Sequence, residues 1–350
     1  MKNHPGSEAP PSASLSTSGP GEIRVGPTLA IPAVLAELGV SPNDAFAWAG
    51  VDPTLFDDPD NRIGIEALGG LLAGCAALSG CDHFGLLVGE RFELPELGPL
   101  GGLLRHSPTV GEALRGLLRF FHVHDRGAAP LLLAADPSCV ILGYSVFHHG
   151  LPGLAQIQDA AISIGYRILA TLCGPTWKPL RVQFSRSQAG DSAPYHQTFH
   201  APVSFDAKIS GLVFASSWLD RTIEGADATI HDRLTEAIRA AEARGPASFA
   251  AQVERALPQM VLSGMVSGEA VASTFAVHER TLRRRLEDDG TNLQQLIKQT
   301  RFELAKQLLQ NTELAVSAIA TVLGYDDPNA FSRAFRNWAH ASPTQWRAAR

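Results

Sequence analysis

Arg280, Arg283 and Arg284 fall at positions i, i+3 and i+4, so a helix through Glu279–Leu286 puts all three on neighbouring surface positions. Asn329, Ser332, Arg333 and Arg336 do the same in a second stretch. An arginine fork pairs with the two acceptors of a guanine edge and equally with phosphate. Asparagine suits adenine, and serine suits any base. The chemistry these types could do is the reading of base edges in a DNA groove. A solvated basic face would show the same charges, and a charge run by itself is usually that.

The elements that must position these residues decide between the two readings. In the first stretch Leu282 and Leu286 turn inward, four apart. Val271, Ala272 and Phe275, with a turn at Ala276-Val277, give the small and apolar positions of a supporting helix. The whole pattern, Glu269–Asp288, is that of two tightly joined helices, the second able to lie in a major groove. The second pattern runs Val316–Trp338. Val316, Ile319, Ala320 and Leu323 make its first helix, Gly324 permits the turn, and Pro328 opens its last helix. Phe331 and Phe335 face inward, leaving Asn329, Ser332, Arg333 and Arg336 outside.

Between them the apolar residues Leu293, Leu296, Ile297, Leu304, Ala305, Leu308 and Leu309 predict a helix over 292–310, with Phe302 beside the stripe. Its length of roughly 30 Å is close to the pitch of B-DNA, about 34 Å. Such a strut could hold two recognition helices one turn apart. An ordinary core helix would carry the same stripe.

The N-terminal two thirds read as a separate α+β domain with a mostly antiparallel sheet. Residues 27–120 are mainly helical by periodicity, over 28–38, 64–78 and 109–121, the last capped near Ser107-Pro108-Thr109. A hairpin is expected from 130–135 and 139–147 around Asp136-Pro137-Ser138. A helix follows over 153–173, stopped by Gly174-Pro175, and then strands at 180–184 and 210–214. The expected division is a disordered Pro/Ser/Gly-rich tail over 1–24, an effector and dimerisation domain over 25–222, a linker helix over 223–247 and a DNA-binding domain over 248–350. The helix at 226–243 is a candidate dimer contact.

The chain has 350 residues and a net charge of −6. Residues 246–350 hold 12 Lys+Arg against 10 Asp+Glu, while residues 1–245 hold 17 against 25. The C-terminal part is only mildly basic, so clustering of its arginines matters more than their sum. No apolar run has the length of a membrane span, and no signal peptide is evident, so a cytoplasmic protein is expected. Cys75, Cys81, Cys139 and Cys173 are scattered and read as reduced, buried thiols.

Other candidates carry little. His122, His124, Asp125, His148 and His149 could gather at the hairpin ends, but without a diagnostic metal spacing. His196 and His200, four apart, read as helix surface. Gln156, Asp159, Ser163 and Arg167 could line a pocket, with a solvated helix face as the default. No catalytic, cofactor or metal motif is found, so no catalytic residue, cofactor or metal is expected.

The C-terminal stretch resembles the AraC/XylS family of transcription regulators over Ser267–Arg347. The likeness is carried by Arg280-Thr-Leu-Arg-Arg-Arg-Leu286, Arg301-Phe-Glu-Leu-Ala-Lys-Gln-Leu-Leu309, Ile319-Ala-Thr-Val-Leu-Gly-Tyr325, Ala330-Phe-Ser-Arg-Ala-Phe-Arg336 and Ser342-Pro-Thr-Gln-Trp-Arg347. The resemblance implies groove contacts from Arg280, Arg283 and Arg284 in the first unit and from Asn329, Ser332 and Arg333 in the second. Ala276 and His278 stand where the family often has glycine and a serine or threonine cap, and His340 where it often has glycine.

Residues 183–184, 194–196, 199, 202–205 and 212–214 resemble the arabinose-binding-like effector domain of a subgroup that includes regulators of amino-acid metabolism. That implies a small-molecule sensor, though not a cupin barrel, and leaves the molecule open. It also implies a homodimer acting on promoter DNA together with RNA polymerase. Two alternatives stay open: an enzyme localised by a DNA-binding domain, and an architectural DNA binder without a ligand.

Overall fold

The computed structural model describes residues 21–136, 138–146, 151–188, 190–243, 249–262, 266–275 and 277–348. Its N-terminal part is a mixed α and β domain and its C-terminal part is helical. Strand β1 (Glu22–Arg24) pairs antiparallel with β2 (Arg62–Gly64). Residues 22–24 therefore do not belong to the expected tail. Ile23 is buried beside Ile63, and Arg24 is ion-paired to Asp60.

The helices α1 (Ile31–Glu37), α2 (Pro42–Ala49), α3 (Ile65–Ser79), α4 (Phe84–Glu90), α5 (Pro99–Arg105) and α6 (Val110–Phe120) follow. Periodicity located α1, α3 and α6. Thr109 caps α6, its hydroxyl accepting from the Glu112 amide at 3.2 Å. The others are a turn or two long, too short to show a period.

Strands β3 (Ala128–Asp136) and β4 (Cys139–Val146) form the expected hairpin. At its turn the Asp136 carboxylate accepts from the Ser138 amide at 2.8 Å. Helix α7 (Leu154–Cys173) ends at Gly174, whose φ of +83° suits glycine. Then come β5 (Arg181–Gln183), α8 (Ala193–Phe199), β6 (Val203–Ser204) and β7 (Gly211–Ala215).

The sheet order is β3-β4-β7-β5-β6. Pairing is antiparallel except between β5 and β6, which run parallel. The sheet is thus mostly antiparallel, as expected, and the parallel β5–β6 pair makes it partly mixed. The connection between β5 and β6 contains α8, and a crossover of that length lets the chain re-enter the sheet in the same direction. Helix α8 carries the stretch expected to present His196 and His200 on a helix surface. Within it His196 is exposed on α8, and His200 just beyond has a φ of +49°.

Helix α9 (Ala228–Ala243) buries Ile238 and lays Leu234 over Gly102 of α5. Most of its apolar side is therefore covered within its own chain, while Ile230 near its start stays exposed. The end of the expected 223–247 linker, from 244 on, lies outside the described residues. Beyond it run α10 (Phe249–Leu262), α11 (Gly268–Thr274), α12 (Glu279–Asp288), α13 (Leu293–Asn311), α14 (Val316–Val322), α15 (Pro328–Ala339) and α16 (Pro343–Ala348).

The two domains share packed surface. Side chains alternate across a strand, and β3 uses both faces. Ala129 and Leu131 join a buried cluster with Val261 of α10 and Leu304 and Leu308 of α13. Leu132 and Leu142 pack on the other side, within the N-terminal domain. The Glu313 amide also donates to the Lys208 carbonyl at 2.9 Å.

Candidate nucleic-acid interface and ligand cavity

The first helix pair is built as its residue types require. The Ser267 hydroxyl starts α11 by accepting from the Ala270 amide at 3.1 Å. Leu282 and Leu286 of α12 are buried with Val271, Ala272, Val253 and Leu257. His278 takes the cap position of α12, and its Nδ1 accepts from the Arg280 amide at 3.4 Å. The departure from a hydroxyl cap therefore keeps a capping acceptor. Ala276 lies outside the described residues.

With the leucines inside, Arg280, Arg283 and Arg284 are exposed. Arg283 reaches Glu279 at 3.5 Å, one turn back. Such an exposed pair is weak and leaves the guanidinium open to competition. Arg285 behaves differently, stacking its guanidinium over Phe249 of α10 at 5.2 Å.

The second pair repeats the build. Gly324 adopts a φ of +72° between α14 and α15. Asp327 caps α15, accepting from the Asn329 and Ala330 amides at 3.0 and 3.1 Å. This cap was missed from sequence, although Asp-Pro-Asn ahead of an apolar period signals one. Phe331 and Phe335 are fully buried. Asn329, Arg333 and Arg336 are exposed, and Ser332 is half-buried. The α15 C-cap, His340, sits at a φ of +54°, where glycine is more usual.

Helix α13 belongs to both pairs. Asn292 caps it, accepting from the Gln295 amide at 2.9 Å. Leu296 is buried in the first cluster, and Leu304, Ala305, Leu308 and Leu309 in the second. Its 19 residues span about 28 Å. Arg301 stacks over Tyr325 at 5.0 Å, and Arg347 donates to the Leu309 and Leu314 carbonyls at 3.2 and 2.6 Å. The seven residues singled out from sequence thus sit on two helices fastened to one strut.

A cavity lies in the N-terminal domain between α7 and the sheet, with α3 and the Phe121–Asp125 turn closing it. It offers about 80 Å³ to the centres of water-sized molecules. Its wall is mostly aliphatic, including Leu72, Leu142, Ile164, Ile168 and Leu212. Its polar edge is His124, Asp125, Tyr144 and Thr28. The Asp125 carboxylate accepts from the Gly127 amide at 2.7 Å and from the Tyr144 hydroxyl at 2.8 Å.

Burial pushes the Asp125 carboxyl up to about 6, against the pull of those donors. Because the folded value lies above the ordinary 3.8, protonation favours the folded state. That stability is full below pH 3.8 and is lost as pH rises through about 6. Asn at this position stays neutral throughout. The Asp125→Asn variant should therefore gain roughly 2–3 kcal/mol on the natural chain between pH 4 and pH 7. Urea unfolding at both pH values checks this, and a difference that stays flat contradicts it.

The polar side of α7 is neither solvated nor a ligand wall. Gln156, Asp159 and Ser163 are buried, and the default of a solvated face is corrected. Gln156 accepts from the Gly85 amide at 2.7 Å, on the close-packed side of α4. Asp159 takes the Arg186 guanidinium at 2.7 and 2.9 Å and the Tyr195 hydroxyl at 2.7 Å. Arg167 donates to the Phe92 carbonyl at 3.2 Å. Among the described residues no cluster has the makings of a metal site, and His148 and His149 lie outside them. Cys75, Cys81 and Cys173 are buried and Cys139 is half-buried.

A helical domain that turns basic helix faces outward, packed on a mixed domain with an internal cavity, is the build of a ligand-controlled DNA-binding protein. Residues 39–223 match the arabinose-binding N-terminal domain of AraC transcription regulators, and residues 271–349 match a helix-turn-helix domain. The chain belongs to the AraC family of transcription regulators.

Its relatives agree with that assignment. The HTH-type transcriptional regulator VirS of Mycobacterium tuberculosis is 26% identical over 316 residues, 90% of this chain and 93% of its own. The ornithine utilization regulator of Pseudomonas aeruginosa is 27% identical over 326 residues, again 90% and 93%. Among solved structures, the regulator CdpR of Pseudomonas aeruginosa aligns over 91% of this chain and 96% of its own, at 23% identity and a TM-score of 0.47. The chain is a DNA-binding transcription regulator with an effector-binding domain, and not an enzyme. No described helix is long and apolar enough to cross a membrane.

Proposed function

We propose that α11–α12 and α14–α15 are two helix-turn-helix units reading successive major grooves of one promoter. Arg280, Arg283 and Arg284 serve the first groove, and Asn329, Ser332, Arg333 and Arg336 the second. The observation that carries this is the shared build: buried Leu282 and Leu286, or Phe331 and Phe335, turn the polar residues out at both ends of one capped helix. Residues 248–350 then form the DNA-binding part, 22–222 the sensing and dimerising part with β1 included, and 223–247 the connection. The protein acts in the cytoplasm as a homodimer, together with RNA polymerase.

The effector occupies the cavity beneath β3 and β4. Those strands present one face to the cavity and the other to α10 and α13. A ligand that favours one packing of that shared sheet shifts the DNA-binding domain, provided its affinity differs between the two arrangements.

Alanine at Arg283 or Arg333 tests the groove assignment. Each should cost about 1–3 kcal/mol of discrimination between cognate and altered base pairs, at the position that arginine reads. Competition binding against single-base operator variants measures it. Uniform weakening across all sequences would mean phosphate contact only, and no change would remove that arginine from the interface.

A further inference from the structure

The cavity's chemistry narrows what the sensor senses, resting on the reading that this cavity is the effector site. Its wall is almost wholly aliphatic, and the polar groups at its edge are mostly engaged already. Asp125 is held by Gly127 and Tyr144, and the Thr28 hydroxyl donates to the Val25 carbonyl at 2.9 Å. His124 is different. It is 3% exposed, lines the cavity, and its Nδ1 has no hydrogen-bond partner.

The charges nearest that ring are already committed. Arg24 pairs with Asp60, and Arg62 donates to the Val123 carbonyl at 3.1 Å. Neither arginine lines the cavity. Burial, with those two cations nearby, holds the ring's pKa well below its ordinary value, so the imidazole is neutral. A neutral ring nitrogen can donate or accept according to tautomer.

We propose that the effector is an uncharged, largely apolar molecule with a single hydrogen-bonding head group, its head at His124 and its body along the aliphatic wall between α7 and the sheet. A hydroxyl head fits either tautomer of His124, because it both donates and accepts. A sugar would bury several hydroxyls against hydrocarbon with nothing to pair them. A zwitterionic amino acid would need a free cation for its carboxylate, which the lining lacks, and the lining's one carboxylate, Asp125, already accepts from Gly127 and Tyr144. The name of the family domain and the ornithine relative would suggest those two ligands, and the cavity argues against both.

The full chain can be titrated with N-phenylnaphthylamine, a neutral apolar fluorophore with one N–H, and the probe then displaced with octanol, octanoate, arabinose or ornithine. Saturable binding at one site per chain is expected. Octanol should displace the probe at least tenfold better than octanoate, and arabinose and ornithine should not displace it. Gly165→Leu and Ala161→Phe both fill the cavity from α7, and each should weaken the probe at least tenfold while far-UV circular dichroism stays native. Gly165 has room, since an added Cβ would meet Leu212 only at 3.4 Å.

His124→Phe should weaken octanol about tenfold, the loss of one hydrogen bond to a buried group, while leaving the probe's fluorescence saturable. The proposal is overturned by an absence of saturable probe binding, by probe binding indifferent to a folded filled-cavity variant, or by displacement with arabinose or ornithine as effective as with octanol. The titration contains no DNA, so it stands apart from the effector reading. If octanol binds as expected yet leaves promoter affinity unmoved, the effector role fails and the ligand class stands.

Discussion

Phe335→Ala should destabilise the DNA-binding domain by about 3–5 kcal/mol, the range for truncating a large buried aromatic. Phe335 is fully buried and meets the rings of Phe302, Phe331 and Trp346 at 5.6, 5.9 and 5.8 Å. Those three neighbours belong to α13, α15 and α16, so the ring fastens the second helix pair to the strut. No single neighbour can swing in to fill the gap, because each is itself packed in the cluster. Guanidinium unfolding should show the loss. Promoter contacts from α15 should fail at temperatures where contacts from α12 persist, because Leu282 and Leu286 sit in a separate cluster. Equal loss at both ends of the site would contradict that separation.

Asp159→Ala should cost the N-terminal domain a similar 3–5 kcal/mol, the range for leaving one partner of a buried ion pair uncompensated. The Asp159 side chain is fully buried and that of Arg186 is 14% exposed. Removing the carboxylate strands a cation wedged against Phe184, Tyr195 and Phe205, at 5.2 to 5.5 Å from their rings. It also takes the acceptor from the Tyr195 hydroxyl. Burial alone pushes the Asp159 carboxyl upward, with Arg186 and Tyr195 pulling it back. The pair therefore matters more for what its breakage costs than for what its presence adds. A double variant, Asp159→Ala with Arg186→Met, should recover most of the loss in the same unfolding assay. If the double variant is as unstable as the single, the penalty comes from lost packing and not from a stranded charge.

How much of this was legible in sequence follows from how local each signal is. Leu282 and Leu286, and Phe331 and Phe335, lie four apart on single helices, so the inward face and hence the outward arginines could be read directly. Helix α13 and the β3–β4 hairpin were readable for the same reason. The polar side of α7 was misread because Gln156, Asp159 and Ser163 look solvated until their partners are known. Gln156 bonds to Gly85 and Asp82, Asp159 to Arg186 and Tyr195, and Ser163 packs against Gly89, at separations of 27 to 74 residues. Strand β6 and helix α8 are too short for a period, which also hid the parallel pairing of the sheet. The cavity had no sequence signature, since its wall is gathered from α3, α7, β4 and β7 and the loop at His124.

One stiff helix holding two reading heads against one duplex should leave a double footprint. Hydroxyl-radical footprinting of the full chain on its promoter reads this out. Two protected patches per DNA-binding domain are expected on the same side of the duplex, with centres about 10 base pairs apart. Alanine at both Arg283 and Arg284 should erase one patch, and alanine at both Arg333 and Arg336 the other. A single patch per domain, or two that both survive the α15 substitutions, would contradict it.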